Sequence, residues 1–168
     1  MTASVPATIV NHVSLEIPAP PDAVWAAIQE EYVEARKFSG AGSIEPFDDP
    51  AAVRAYRMRV VQGEVVDERE VRITERDHAA RRLSAYADYQ TVPASGMGVW
   101  ATYHAQEVPG EARRTRYAID CHARLRVDVP DGAGTPEVQA AIAAMKAAFD
   151  TALLAYLERF RAQFEPGA

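Results

Sequence analysis

Near its end the chain changes period. Val138, Ile142, Met145, Phe149, Ala152, Tyr156 and Phe160 recur at helical spacing and form one apolar stripe. Thr135 is placed to cap this helix, Pro136 to be its first residue, and Glu137 suits its N-terminal end. Pro166-Gly167 closes it. A helix of roughly 30 residues is about 45 Å long. That is longer than the strands expected before it, so the helix is expected to cross a whole sheet. A single long amphipathic helix after a strand-rich chain restricts the fold to an α+β layer, with the sheet wrapped around the helix.

The strands are read from their alternation. Val53 to Val61 places Tyr56, Met58 and Val60 on one face and Arg57 and Arg59 on the other. Glu64 to Glu75 has Val65, Val71 and Ile73 in phase, with Glu68, Glu70, Arg72 and Thr74 opposite. Arg81 to Gln90 and Val99 to Val108 follow, joined by the connection Pro93 to Gly98. Thr115 to Val127 alternates most cleanly: Tyr117, Ile119, Cys121, Ala123, Leu125 and Val127 against Arg116, Asp120, His122, Arg124 and Arg126. Hairpin-length gaps make the sheet antiparallel, with one dry and one wet face. A short strand is also expected around Ile44 to Phe47.

The beginning of the chain is a sharp corner. Val13-Ser14-Leu15-Glu16-Ile17 is a strand, and Pro18 ends its ladder because it has no N–H to donate. Pro20 and Pro21 preset the helical φ, and Asp22 suits the positive end of the helix dipole. Two short helices are expected, Asp22 to Ile28 and Glu31 to Phe38, the second ended by Ser39-Gly40-Ala41-Gly42-Ser43. Trp25 is expected to be tucked inward.

With 168 residues and no internal linker, residues 1–168 read as a single domain. The net charge of −6 argues against nucleic-acid and anionic-membrane partners. No apolar run is expected to span a bilayer. The first residues lack the basic stretch of a signal peptide, and a single Cys121 suits a reducing cytoplasm. The excess of arginine over lysine and the abundant alanine fit a GC-rich bacterial genome.

The order of elements and the corner Ile17-Pro18-Ala19-Pro20-Pro21-Asp22-Ala23-Val24-Trp25 resemble the START-like, Bet v 1-like (SRPBCC) superfamily. Glu68-Arg69, the later Asp77 and Leu83-Ser84-Ala85-Tyr86 are similar to that family's hairpin pattern, in its polyketide cyclase/dehydrase-type members. The resemblance implies a helix-grip fold with a hollow between a curved sheet and the terminal helix. It also implies an apolar or aromatic small-molecule ligand and no cofactor. Lipid carriers, polyketide cyclases and chaperone activators share that fold, so the fold alone does not choose among them.

The expected concave face carries Tyr56, Met58, Val71, Ile73, Tyr117, Ile119 and Cys121, facing Met145, Phe149 and Tyr156. Ala141, Ala144, Ala148 and Ala152 beside the helix stripe offer space for a ligand or for close packing. Asp67 and Arg69 share the phase of Val71. They point inward as a pair in a regular strand, or join the outer charges of Arg57 and Arg59 if a bulge turns them. Tyr86, Tyr103 and His104 lie on strands whose inner face is open from sequence. An inward Tyr86 or Tyr103 can donate to a ligand oxygen, and beside Arg69 such a phenol can stabilise an enolate. An inward His104 can act as a base; outward, it is a satisfied structural histidine. Buried Cys121 reads as a small inert hydrophobe. His12, His78, His104 and His122 lack metal-ligand spacing, and Pro136 and Glu137 remove any phosphate loop after Gly132-Ala133-Gly134.

Overall fold

Alternating residues from Glu111 to Pro130 make the spine of the molecule, a 20-residue strand that pairs on both sides. The computed structural model describes residues 2–36, 42–91 and 96–165. In chain order they form β1 (Thr2–Ile17), α1 (Pro21–Tyr32), β2 (Gly42–Phe47), β3 (Arg54–Gln62), β4 (Val65–Asp77), β5 (Arg82–Tyr89), β6 (Met97–Val108), β7 (Glu111–Pro130) and α2 (Thr135–Ala162). The seven strands form one antiparallel sheet in the order β1-β7-β6-β5-β4-β3-β2. This is the α+β layer expected from the period change: a curved antiparallel sheet with one long terminal helix.

Several boundaries differ from the sequence reading. β1 starts eleven residues before Val13; Pro6 is tolerated there because β1 is an edge of the sheet. The first expected helix continues through Glu31 to Tyr32, and the backbone then turns, with Ala35 at φ 55°. Phe38, Ser39 to Ala41 and the closing Pro166-Gly167 lie outside the described residues, while Gly42 and Ser43 belong to β2. Gly134, not Thr135, occupies the cap of α2, without a side-chain hydrogen bond.

The length argument for α2 also needs correction. At about 3.3 Å per residue β7 has a contour of about 66 Å, against about 42 Å for the 28-residue helix. The helix does not cross the whole sheet. It lies along β1 and β7, at one side of the concave face. By length and composition α2 is also apolar enough to cross a membrane, with a mean hydropathy of 1.4, contrary to the expectation that no run would be. In this fold only its last turns are sunk in the core, through Leu157 and Phe160. Farther up, buried Asn11 of β1 ties the helix down, donating to the Lys146 carbonyl at 3.2 Å and to Asp150 Oδ1 at 2.7 Å.

One end of the concave face is solid. Val24, Trp25 and Ile28 of α1 are buried with Ile17, Leu83, Tyr117, Leu157 and Phe160. Trp25 is inward as expected, and its Nε1 donates to His78 Nδ1 at 3.3 Å. On the convex face, Arg57 bonds Glu70, Arg59 bonds Glu68, Arg72 bonds Asp49 and Arg82 bonds Glu75. That face is the wet side of the sheet.

Candidate functional site

Register across the concave face explains where space arises. Leu83 pairs with Tyr103, and Tyr103 with Ile119. The next row is Ile73, Ala85, Ala101 and Cys121; the one beyond is Val71, Ala87, Val99 and Ala123. Arg69, Tyr89 and Met97 follow. Two consecutive rows therefore offer alanine at Ala85, Ala87, Ala101 and Ala123, between rows of large side chains. Because α2 lies to one side, no side chain among the described residues fills the missing volume. The result is a cavity of about 270 Å³, roofed by Phe149, Ala152, Leu153 and Tyr156 of α2. Its size is near the lower end of small-molecule pockets.

Arg69 stands on this cavity wall. β4 is regular at this point, and its bulge lies farther on, between Ile73 and Glu75. Asp67 and Arg69 consequently face inward, while Glu68 and Glu70 take the outer arginines. Asp67 grips the guanidinium through both carboxylate oxygens, with Nε to Oδ1 at 2.9 Å. Tyr89 lies under it with the ring centroid at 4.3 Å, and its hydroxyl accepts from Nη1 at 2.7 Å. Burial alone would weaken the Arg69 charge. The hydrogen bonds that Arg69 donates to Asp67, with the attraction of nearby Asp67 and Tyr89, outweigh that and hold its pKa above the usual range.

The opposite end of the cavity is phenolic. Tyr32 from α1 stacks on Tyr103 with centroids 4.1 Å apart. Tyr117 and Tyr156 hydroxyls meet at 3.2 Å, and Tyr156 donates to Glu31. Burial pushes Tyr32, Tyr103, Tyr117 and Tyr156 well above the ordinary phenol range, so all four are neutral at physiological pH. Tyr56 donates to the Tyr32 carbonyl at 2.9 Å, and burial pushes its pKa to about 12.

Solved structures with this architecture decide the fold. One domain of the di-domain ARO/CYC protein BexL, from the BE-7585A biosynthetic pathway, superposes with a TM-score of 0.63 at 18% identity. That match covers 91% of this chain and 45% of BexL. The ZhuI aromatase/cyclase from Streptomyces sp. R1128 gives 0.55 at 18% identity over 91% of this chain and 95% of its own. Ara h 8.0201 gives 0.56 at 12% identity, covering 70% and 77%. The fold is the START-like, Bet v 1-like helix grip. No protein-family model matches the chain, and no curated protein matches it in sequence.

Of the residues expected in the hollow of this helix grip, Tyr56, Arg69, Val71, Tyr103, Ile119, Cys121, Phe149 and Tyr156 line it, and Ile73 is buried in the core beside it. Others sit elsewhere. Met58 is buried in the core beside Arg69 but off the cavity wall, and Tyr117 is behind it, reaching Tyr156. Met145 packs in a second apolar cluster with Ile9, Leu125 and Val127. Asp67 is a partner of Arg69 rather than a wall residue. Burial lifts the Cys121 thiol to about 11, which fits an inert side chain.

Tyr86 and His104 need correction. Both are on the convex face, because Ala85, Ala87, Tyr89, Ala101 and Tyr103 take the inner phase of β5 and β6. Tyr86 packs on Trp100 there, with centroids 4.6 Å apart. His104 Nε2 donates to the Ala80 carbonyl at 3.0 Å and Nδ1 accepts from Gln106 at 3.1 Å, a satisfied structural histidine. Of the helix alanines expected to leave space, Ala152 alone is on the wall. The sequence reading missed Tyr32, Tyr89 and the strand alanines. Tyr89 was findable, since it lies across from Arg69.

Proposed function

We propose that the protein binds a small, flat, oxygen-bearing aromatic or apolar molecule between the sheet and α2, without a cofactor. The observation that carries this reading is the alanine floor at Ala85, Ala87, Ala101 and Ala123 in an otherwise bulky sheet. Among the described residues, five tyrosines and one phenylalanine surround that space. Tyrosine offers a ring face for stacking and a hydroxyl for orientation, which suits an oxygenated ring better than a plain alkyl chain. The similarity to proteins described as aromatase/cyclases supports the same class. A cytoplasmic setting suits the single buried thiol.

Titration calorimetry with 2-naphthol, a two-ring phenol, tests the proposal alongside native mass spectrometry of the freshly purified protein. Saturable one-to-one binding is expected. Ala101→Leu places three more carbons in the floor and weakens binding at least 100-fold, or about 2.7 kcal/mol. Undiminished binding by Ala101→Leu would overturn the assignment of the cavity.

A second reading is favoured by Arg69. A fixed guanidinium facing the cavity, within electrostatic reach of the Tyr103 phenol, is placed to stabilise an enolate oxygen, as a polyketide cyclase or dehydratase requires. Arg69→Met should then abolish turnover of a poly-β-ketone thioester while the protein still folds, with a lowered melting temperature because Asp67 loses its partner. Full turnover by that variant would rule out Arg69 as the group that stabilises the enolate, and no turnover by the wild type would leave only the binding function. A chaperone-activator role calls for a filled interior and an exposed apolar patch, and the hollow floor speaks against it.

A further inference from the structure

The convex face is not uniform in how its arginines are paired. On β3, β4 and β5, Arg57, Arg59, Arg72 and Arg82 each hold a carboxylate. Arg124 and Arg126 lie two residues apart on the outer side of β7, and among the described residues neither makes an ion pair. Arg126 is fixed by neutral groups instead: Nε donates to Ser4 Oγ at 2.9 Å and Nη2 to the Ser4 carbonyl, so its charge stays uncompensated. Beside these two cations stands an aromatic pair. Tyr86 packs on Trp100, yet the indole residue remains 42% exposed. Both rings lean over Gly98, where a β-carbon would come within 3.1 Å of Tyr86 Oη and 3.5 Å of Trp100 Cη2. Gly98 pairs with Arg124 on one side and with Asp88 on the other. The rings, the bare backbone of Gly98 and both arginines border one open groove of about 430 Å³, bounded across the sheet by Pro6 and Thr8 of β1. Asp88 lies outside it. Arg124 is within electrostatic reach of the Tyr86 hydroxyl, which has no hydrogen-bond partner among the described residues.

We propose that this groove is a second binding site, on the opposite face of the sheet from the hollow under α2, for a planar aromatic ring that carries a phosphate monoester. The ring stacks on Trp100, and the phosphate is held by Arg124 and Arg126 with the Tyr86 hydroxyl as a further donor. Charge decides the anion. A phosphate monoester carries about −1.5 to −2 charges at neutral pH, which matches two unpaired guanidiniums better than a single carboxylate does. Arginine forks also meet phosphate oxygens through parallel, charge-assisted hydrogen bonds. Stacking on an indole accepts any flat ring, so nucleoside monophosphates belong to the class. The site stands independently of the hollow, because the sheet separates the two.

The test is titration calorimetry of the whole chain with adenosine monophosphate, adenosine and inorganic phosphate. Saturable one-to-one binding of the monophosphate is expected, at least about tenfold tighter than either part alone, or about 1.4 kcal/mol. Trp100→Ala removes the stacking surface and Arg124→Gln removes one charge. Both positions are exposed, so folding is spared, and each variant should weaken the monophosphate at least about tenfold. Saturating the protein with 2-naphthol beforehand should leave this binding unchanged. Three results would overturn the proposal: no binding of the monophosphate at millimolar concentration, undiminished binding by both variants, or equal binding of adenosine or phosphate alone. Loss of the monophosphate signal in the presence of 2-naphthol would overturn it as well, by placing the nucleotide in the hollow.

Discussion

Ala101 and Ala105 stand four residues apart on the same face of β6, yet one borders a void and the other a solid core. Around Ala105 the sheet is covered from two sides. α1 supplies Val24, Ile28 and Tyr32, and the end of α2 supplies Leu157 and Phe160, both essentially without solvent exposure. Around Ala101 the neighbours are Ala85 and Cys121, and the helix above contributes only the edges of Phe149, Ala152 and Leu153. Stability and ligand capacity are thus divided along one sheet. The packed end fixes the geometry of the phenols, and the open middle leaves room for a guest.

The largest effect expected from breaking this division is at Phe160. Its ring meets Tyr117 with centroids 4.7 Å apart and also contacts Tyr156 and Phe164. Phe160→Ala should cost about 3–5 kcal/mol of unfolding free energy, through lost contacts and the cavity left behind. Denaturant unfolding measures this directly. A loss below about 1 kcal/mol would mean that the end of α2 is not the anchor of the helix grip.

Much of the layout was legible in the sequence because it is periodic. Over parts of β3, β4 and β7 charged or polar residues alternate with apolar ones, so the inner phase of Tyr56, Val71, Ile119 and Cys121 could be read without coordinates, while Arg69, in the charged run Asp67 to Glu70, stayed open between inward and outward. β5 defeats the same reasoning. Its inner side holds Ala85 and Ala87 and its outer side Tyr86, so side-chain size points the wrong way. The cause is the cavity itself: a wall that borders empty space needs small residues, and a Tyr stacked on Trp100 outside needs no core. The α2 stripe has a related lesson. It is spaced for burial from Val138 to Phe160, but only Leu157 and Phe160 are fully sunk, because the middle of the stripe roofs the hollow. Periodicity tells which side faces inward and says little about whether anything waits there.

Alkaline pH should strike the packed end next. Tyr56, essentially without solvent exposure, has its pKa raised by burial from 10.0 to about 12, and Tyr32, Tyr103, Tyr117 and Tyr156 are raised in the same direction. A group whose folded pKa is raised contributes its stability fully below the unfolded value and loses it as pH climbs through the folded one. Stability should therefore hold up to about pH 10 and fall between there and about pH 12, by about 2–3 kcal/mol from Tyr56 alone. Tyrosinate absorbance followed beside circular dichroism checks this. The buried phenols should ionise together with unfolding, and gradual ionisation of all seven tyrosines in a folded protein would contradict the packing described for them.

The smallest stability effect, and the sharpest contrast, comes from making one substitution at both alanines of β6. At Ala105, 2% exposed within the packed cluster, leucine has no room, and Ala105→Leu should cost about 1–3 kcal/mol by overpacking. At Ala101 the same three carbons enter existing space. They gain apolar burial and van der Waals contacts without displacing a neighbour, so Ala101→Leu should stay within about 1 kcal/mol of the wild type. The two variants should then separate in opposite directions. Ala105→Leu keeps 2-naphthol binding and loses stability, whereas Ala101→Leu keeps stability and loses binding. Equal destabilisation at both positions would mean that the middle of the sheet is packed as tightly as its end, and the division between a supporting core and a ligand hollow would no longer stand.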